Sequence, residues 1–161
     1  MENNLKTNDM SRKSILFGLL IVCSTVVYPQ STFIKDIFQG EASAGYNSVV
    51  QMSGKLYFNN TDDCHGQELW VTDGTQSGTS ILKDIRPGSS SSSVSSLFVS
   101  GSTVYFAADD GVNGNELWKS DGTADGTVLV KDIYTGFDGS NPSSFFEVNG
   151  IVFFTATTAE T

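Results

Sequence analysis

Glu68-Leu69-Trp70-Val71-Thr72-Asp73-Gly74-Thr75, closed by Gly78-Thr79, returns as Glu116-Leu117-Trp118-Lys119-Ser120-Asp121-Gly122-Thr123, closed by Gly126-Thr127. Each residue of the second stretch stands 48 positions after its counterpart. Another marker keeps the same period: Lys35-Asp36-Ile37, Lys83-Asp84-Ile85 and Lys131-Asp132-Ile133. A fixed period of this size means stacked copies of one small supersecondary unit.

The second copy shows what the unit contains. Residues 95–100 read as a first strand, with Leu97 and Val99 alternating against Ser96 and Phe98, and Gly101-Ser102 turns the chain. Residues 103–108, rich in β-branched and aromatic side chains, form a second strand. A turn with two glycines follows, and residues 116–120 form a third strand carrying Trp118. Residues 121–126 are a tight turn, because Asp-Gly tolerates positive φ, and residues 127–133 form a fourth strand. Four short antiparallel strands per period describe one blade of a β-propeller. The first copy follows the same plan in residues 49–52, 55–59, 68–72 and 79–85. The third begins it in residues 145–148 and 151–155, and its Glu-Leu-Trp is due near position 164, past Thr161.

The expected architecture is therefore all-β: propeller-like blades of four antiparallel strands, about two and a half of them, in an N-terminal fragment of a longer propeller. Residues 31–37 match a fourth strand with no blade before it, as in propellers whose first strand completes the last blade. Blade one spans 38–85, blade two 86–133, and partial blade three 134–161. The alternative is an open stack of hairpins, which leaves long strand edges exposed. The serine run 89–93 and Gly139-Ser140-Asn141-Pro142 suit surface linkers.

Residues 1–30 have the layout of a secretory signal peptide: basic Arg12 and Lys13, an apolar run over 15–28, and a cut at Gln30-Ser31. The apolar run is short of the roughly 20 residues a spanning helix needs, which disfavours an uncleaved anchor. No membrane span is expected once the leader is removed. Of nine basic residues Lys6, Arg12 and Lys13 go with the leader, and of eighteen acidic ones Glu2 and Asp9, leaving six against sixteen and a net charge of −10. That balance excludes nucleic acid and anionic membrane surfaces, which require basic patches. Cys64 is the one cysteine beyond the leader, so stability must come from packing rather than from an internal disulfide.

The two Glu-Leu-Trp-x-x-Asp-Gly-Thr stretches, with Leu82-Lys83-Asp84-Ile85 and Val130-Lys131-Asp132-Ile133 after them, resemble the ELWxxDGT repeat family. The resemblance covers nearly all of the chain beyond the leader. It implies secreted or surface bacterial proteins with propeller-like repeats, many bearing a C-terminal sorting domain.

Residues recurring in every copy suit a scaffold better than a catalyst, which needs one asymmetric constellation. Glu68, Leu69, Trp70, Asp73, Gly74 and Thr75, and Glu116, Leu117, Trp118, Asp121, Gly122 and Thr123, are read as structural repeat residues. The tryptophans should fill the space between blades, and Tyr57-Phe58, Tyr105-Phe106 and Phe153-Phe154 should put aromatics on both faces of each second strand. Asp73 and Asp121 should accept backbone N–H groups two residues on. Lys83-Asp84 and its copies should point to opposite faces of one strand and form salt bridges between blades or at the surface.

The loop before Glu-Leu-Trp is the best functional candidate. Asp62 and Asp63, and Asp109, Asp110 and Asn113, offer the oxygen ligands that calcium favours, although the spacing fits no calcium-loop consensus and a turn role is the plainer one. No catalytic residue or cofactor is otherwise expected. Cys64-His65 supplies two adjacent ligands where zinc wants four. The expected function is an extracellular binding or interaction module for an unknown ligand, a glycan or a protein. The alternatives are part of a propeller-based carbohydrate-active enzyme, which needs two carboxylates facing across one site, and a purely structural surface protein.

Overall fold

The computed structural model describes residues 48–158. The expected leader and the expected fourth-strand remnant at 31–37 lie outside these residues. The described chain is all-β, with ten strands in three antiparallel sheets, none closed on itself. The first sheet orders β1 (Val49–Met52), β2 (Lys55–Asp62), β3 (Gly66–Thr72) and β4 (Ser80–Lys83) as a simple meander. The second repeats it with β5 (Ser95–Ser100), β6 (Thr103–Asp109), β7 (Asn115–Ser120) and β8 (Val128–Lys131). The third holds β9 (Ser143–Val148) and β10 (Ile151–Thr155).

The two complete sheets agree in register. Phe58 faces Trp70 across β2 and β3, and Phe106 faces Trp118 across β6 and β7. The ladder slips between Leu69 and Trp70, and again between Leu117 and Trp118. Both fourth strands are shorter than the sequence predicts. Thr79 and Thr127 belong to the preceding turns, where their hydroxyls donate to the Thr75 and Thr123 carbonyls at 2.7 and 2.6 Å. The amides of Ile85 and Ile133 leave the ladder to donate to carboxylates on the neighbouring third strands. Alternation along β5 is also broken. Ser96 adopts φ 56°, the pairing with β6 shifts between Ser95 and Phe98, and Leu97 is the buried residue of the strand.

A strand with period two gives each sheet two faces, and these sheets are thin enough to need cover on both. Met52, Tyr57, Leu69 and Val71 of the first sheet share a core with Val104, Phe106, Ala108 and Trp118 of the second. Trp118 thus fills the space between sheets, while Trp70 is buried on the face of its sheet that carries Phe58. The second layer of packing runs through stacked rings, Phe98 on Phe145 at 6.1 Å and Phe145 on Phe154 at 5.5 Å. The inner strands β1, β5 and β9 approach one another in sequence.

Trp118→Ala removes the largest side chain of the shared core, and large-to-small changes of this kind cost about 3–5 kcal/mol. Denaturant unfolding of the full chain is expected to show a loss of that size. An unchanged midpoint would contradict the packing role.

Candidate functional site

Two fully buried acids anchor the ends of the complete sheets. Glu68 and Glu116 lie on the third strands with no solvent exposure. Glu68 Oε2 accepts from Ile85 N at 3.0 Å and from Ser92 Oγ at 2.7 Å, while Oε1 accepts from Arg86 N at 3.3 Å. Glu116 repeats the pattern: Oε2 accepts from Ile133 N at 3.0 Å and Ser140 Oγ at 2.5 Å, and Oε1 from Tyr134 N at 3.1 Å and Ser140 N at 2.8 Å. A buried carboxylate is tolerable when several donors replace its water. Burial pushes Glu68 above the ordinary carboxylate range, the Ser92, Ile85 and Arg86 donors pull against it, and the nearby Asp84 adds to the rise. Each glutamate ties the end of its own sheet to the linker that enters the next.

The Asp-Gly-Thr turns sit at the opposite end of the sheets and are built alike. Asp73 Oδ1 accepts from Thr75 N at 2.9 Å and Thr75 Oγ1 at 2.7 Å, and Asp121 does the same with Thr123 at 2.9 and 2.7 Å. These bonds, the hydroxyl first, hold both acids below their usual pKa. Gly74 and Gly122 take φ of 90° and 94°, which side-chain-bearing residues avoid. A Cβ on Gly78 or Gly126 would stand 2.0 Å from the aspartate, so the glycine before the closing threonine makes room for the turn's own acid.

This turn is also where consecutive sheets grip each other. Lys83 Nζ donates to Thr127 O at 2.7 Å and Ala124 O at 3.3 Å of the second sheet's turn. The expected salt bridge is therefore corrected: Lys83 binds carbonyls, and Asp84 lies past the end of β4 with Oδ1 buried and no hydrogen-bond partner among the described residues. Tyr57 of the first sheet packs at Gly122 of the same turn. Burial, and then Asp121, push its phenol above the ordinary value.

The loop end is more varied. Asp62 caps its turn, accepting from Cys64 N at 2.9 Å and His65 N at 2.6 Å, and pairs with the His65 ring at 2.9 Å. Asp110 accepts from Val112 N, Asn113 N and Asn113 Nδ2, each at 2.8 Å. Asp109 accepts from Gly111 N at 2.7 Å and from Arg86 Nη1 at 2.5 Å, an ion pair from the first linker to the second sheet. Burial raises Asp62 and Asp110, but their donors outweigh it and hold both below the ordinary range. Asp63 is exposed beside Asp62. The calcium candidates thus fall into two separate turns, with four of their acids and amides already engaged. Among the described residues, no three His, Cys, Asp or Glu side chains gather closely enough to hold a metal ion. Cys64 is an exposed free thiol. Val112 and Phe137 stand out from this end, Phe137 at 82% exposure.

Sequence reasoning placed the glutamates among scaffold residues but missed what they bind. The signal was present: a serine follows each glutamate by 24 positions, Ser92 and Ser140, and the Lys-Asp-Ile isoleucine follows by 17. Comparison with protein-family models, curated proteins and solved structures finds no match.

Glu68→Gln keeps the shape but sets an amide N–H₂ against a backbone donor. The expected loss is about 1–3 kcal/mol, and the double mutant with Ser92→Ala should lose less than the sum of the singles, because the two share one network. Additivity in urea unfolding would refute the coupling. His65 should titrate above its ordinary value, mainly through its bond to Asp62. The pair's contribution is complete between about pH 4 and about pH 6.5; it fades as pH rises through the raised His65 pKa and is lost in acid as pH falls through the lowered Asp62 pKa. NMR titration of Asp62→Asn should show the His65 pKa falling back, and no fall would show that Asp62 is not its cause.

Proposed function

We propose that this chain is a secreted or cell-surface protein of the ELWxxDGT repeat type, whose sheets fan as blades of a propeller and serve as an extracellular binding or interaction module. The observation that carries the reading is the contrast between the two ends of the sheets. The Asp-Gly-Thr turns share the same aspartate, threonine and glycine hydrogen bonds in both complete copies, as a scaffold should. The loops at the other end diverge: Asp62-Asp63-Cys64-His65 in one copy, Asp110-Gly111-Val112-Asn113 in the other. Divergent loops on a rigid repeat are where recognition is normally built. Approach of the inner strands β1, β5 and β9 supports the fanned arrangement, and the repeat with its Glu-Leu-Trp motif supports the family reading.

The ligand class that fits best is a neutral polymer such as a glycan, or a protein surface. The strongly acidic balance disfavours nucleic acid. No helix among the described residues is long and apolar enough to cross a membrane. A purely structural surface role is the second reading, favoured by the same near-identity of the repeat frameworks.

The full chain applied to a glycan array should give selective binding that Phe137→Ala and Val112→Ser weaken several-fold. A blank array removes the glycan version, and binding untouched by either substitution moves the site away from the loop end.

A further inference from the structure

Asn-Gly occurs twice in the chain, at Asn113-Gly114 and at Asn149-Gly150. This dipeptide carries a chemistry of its own. The glycine nitrogen can attack the asparagine side-chain carbonyl, because no Cβ stands in its way. The fold treats the two pairs in opposite ways.

Asn113 is held. Its backbone N and its Nδ2 both donate to Asp110, each at 2.8 Å. Gly114 is pressed against the linker that follows, where a Cβ would stand 2.7 Å from Gly139 N and from Phe137 O. Asn149 is not held. With Gly150 it makes the two-residue turn between the paired Val148 and Ile151, at φ 52° and 77°. Positive φ at both places is the type I′ pattern that Asn-Gly favours. Both residues are exposed, and a Cβ on Gly150 would meet nothing within 4 Å. Neither the Asn149 side chain nor the Gly150 amide has a hydrogen-bond partner among the described residues. The turn does not demand asparagine. Ser53-Gly54 makes it in the first sheet, at φ 51° and 76°, with a side chain that cannot cyclise.

We propose that Asn149 is a site of self-modification, where the chain converts its own amide to an acid through a succinimide. Gly150 N bonds to Asn149 Cγ, the Cγ–Nδ2 bond breaks, and ammonia leaves with the glycine amide proton delivered through solvent. Water then opens the ring. Opening at Cγ gives aspartate. Opening at the Asn149 backbone carbonyl gives isoaspartate, with the main chain routed through Cβ. One water is taken up and one ammonia released, with no oxidant or reductant. The attack needs the turn to open, and a hairpin tip is where local opening costs least. Isoaspartate lengthens a turn that fits two residues and sets a carboxylate between Val148 and Ile151, so the tip of β9 and β10 loosens. The inference rests on neither a ligand nor the propeller reading.

The test keeps the full chain folded in mildly alkaline buffer made with heavy-oxygen water, then maps its peptides by mass spectrometry and detects isoaspartate with an isoaspartyl methyltransferase. Asn149 should show the mass change of an amide-to-acid exchange, carry the label, and yield both acids. Asn113 should convert more slowly by about tenfold or more, the scale of one charge-assisted hydrogen bond that must open first. In urea the two rates should converge. Asp110→Ala should speed Asn113 and leave Asn149 unchanged. Asn149→Ser should abolish conversion there with an unchanged circular dichroism spectrum. Hydrogen exchange at residues 151–152 should quicken severalfold in the converted chain. A folded chain that keeps Asn149 while the chain in urea converts it overturns the proposal. Equal rates at the two sites in the folded chain overturn it as well, as does labelled aspartate without isoaspartate. Unchanged exchange in the converted chain overturns the loosening of the hairpin.

Discussion

A buried carboxylate facing three or four donors is the constraint on which the stack depends. Glu68 and Glu116 sit where a charge is costly unless its lost water is replaced. The replacements come from beyond the sheet itself: the chain leaving the fourth strand, and a serine in the linker that enters the next sheet. One side chain therefore sets where the fourth strand ends and how the linker turns back. It also explains why isoleucine amides that could extend β4 and β8 do not. The backbone chooses the carboxylate over another ladder partner, and the ladder stops at Lys83 and Lys131.

The opposite end is held by a second device of the same period. Each Asp-Gly-Thr turn is closed on itself by its own acid and hydroxyl, then fastened from outside by the preceding sheet. Lys83 reaches the turn's carbonyls, and Tyr57 presses on its glycine. Each glutamate thus fixes its sheet to the following linker, Lys83 fastens the first sheet to the second sheet's turn, and the Trp118 core lies between the two sheets. No disulfide is available to do this work within the described residues. Stability in such an array is the sum of small units and their interfaces, so each interface needs fasteners that recur with the repeat. What does not recur is the loop after the second strand, Asp62-Asp63-Cys64-His65 in one copy and Asp110-Gly111-Val112-Asn113 in the other.

Much of this was legible in the chain. Period, strand order and the bounds of β1, β5 and β10 follow from turn residues and from apolar alternation, which act locally. The shared sheet-to-sheet core follows from the aromatic pairs on the second strands. Three things escaped. The shortened fourth strands depend on where Glu68 and Glu116 send their oxygens, a contact spanning 17 to 24 positions that no local pattern announces. The irregularity at Ser96 looks like ordinary alternation in the sequence and shows only in φ. Lys83 next to Asp84 suggested ion pairs, yet the lysine chose carbonyls 41 and 44 residues away, because the geometry of the neighbouring turn offers two acceptors that converge.

The gradient of burial along the stack carries the argument one step further. Tyr57, Tyr105 and Phe153 occupy one repeat position three times: Tyr57 is 2% exposed, Tyr105 is half-buried, and Phe153, in the two-stranded sheet, is 45% exposed. A residue type suited to a half-buried strand would not need such a series. An aromatic placed at every copy is instead suited to full cover, which the first sheet attains and the others approach in order. Apolar area removed from water stabilises by about 25 cal/mol per Å², and a buried aromatic removes roughly 150–250 Å². Each added sheet therefore stabilises the one before it by a few kcal/mol at this position alone.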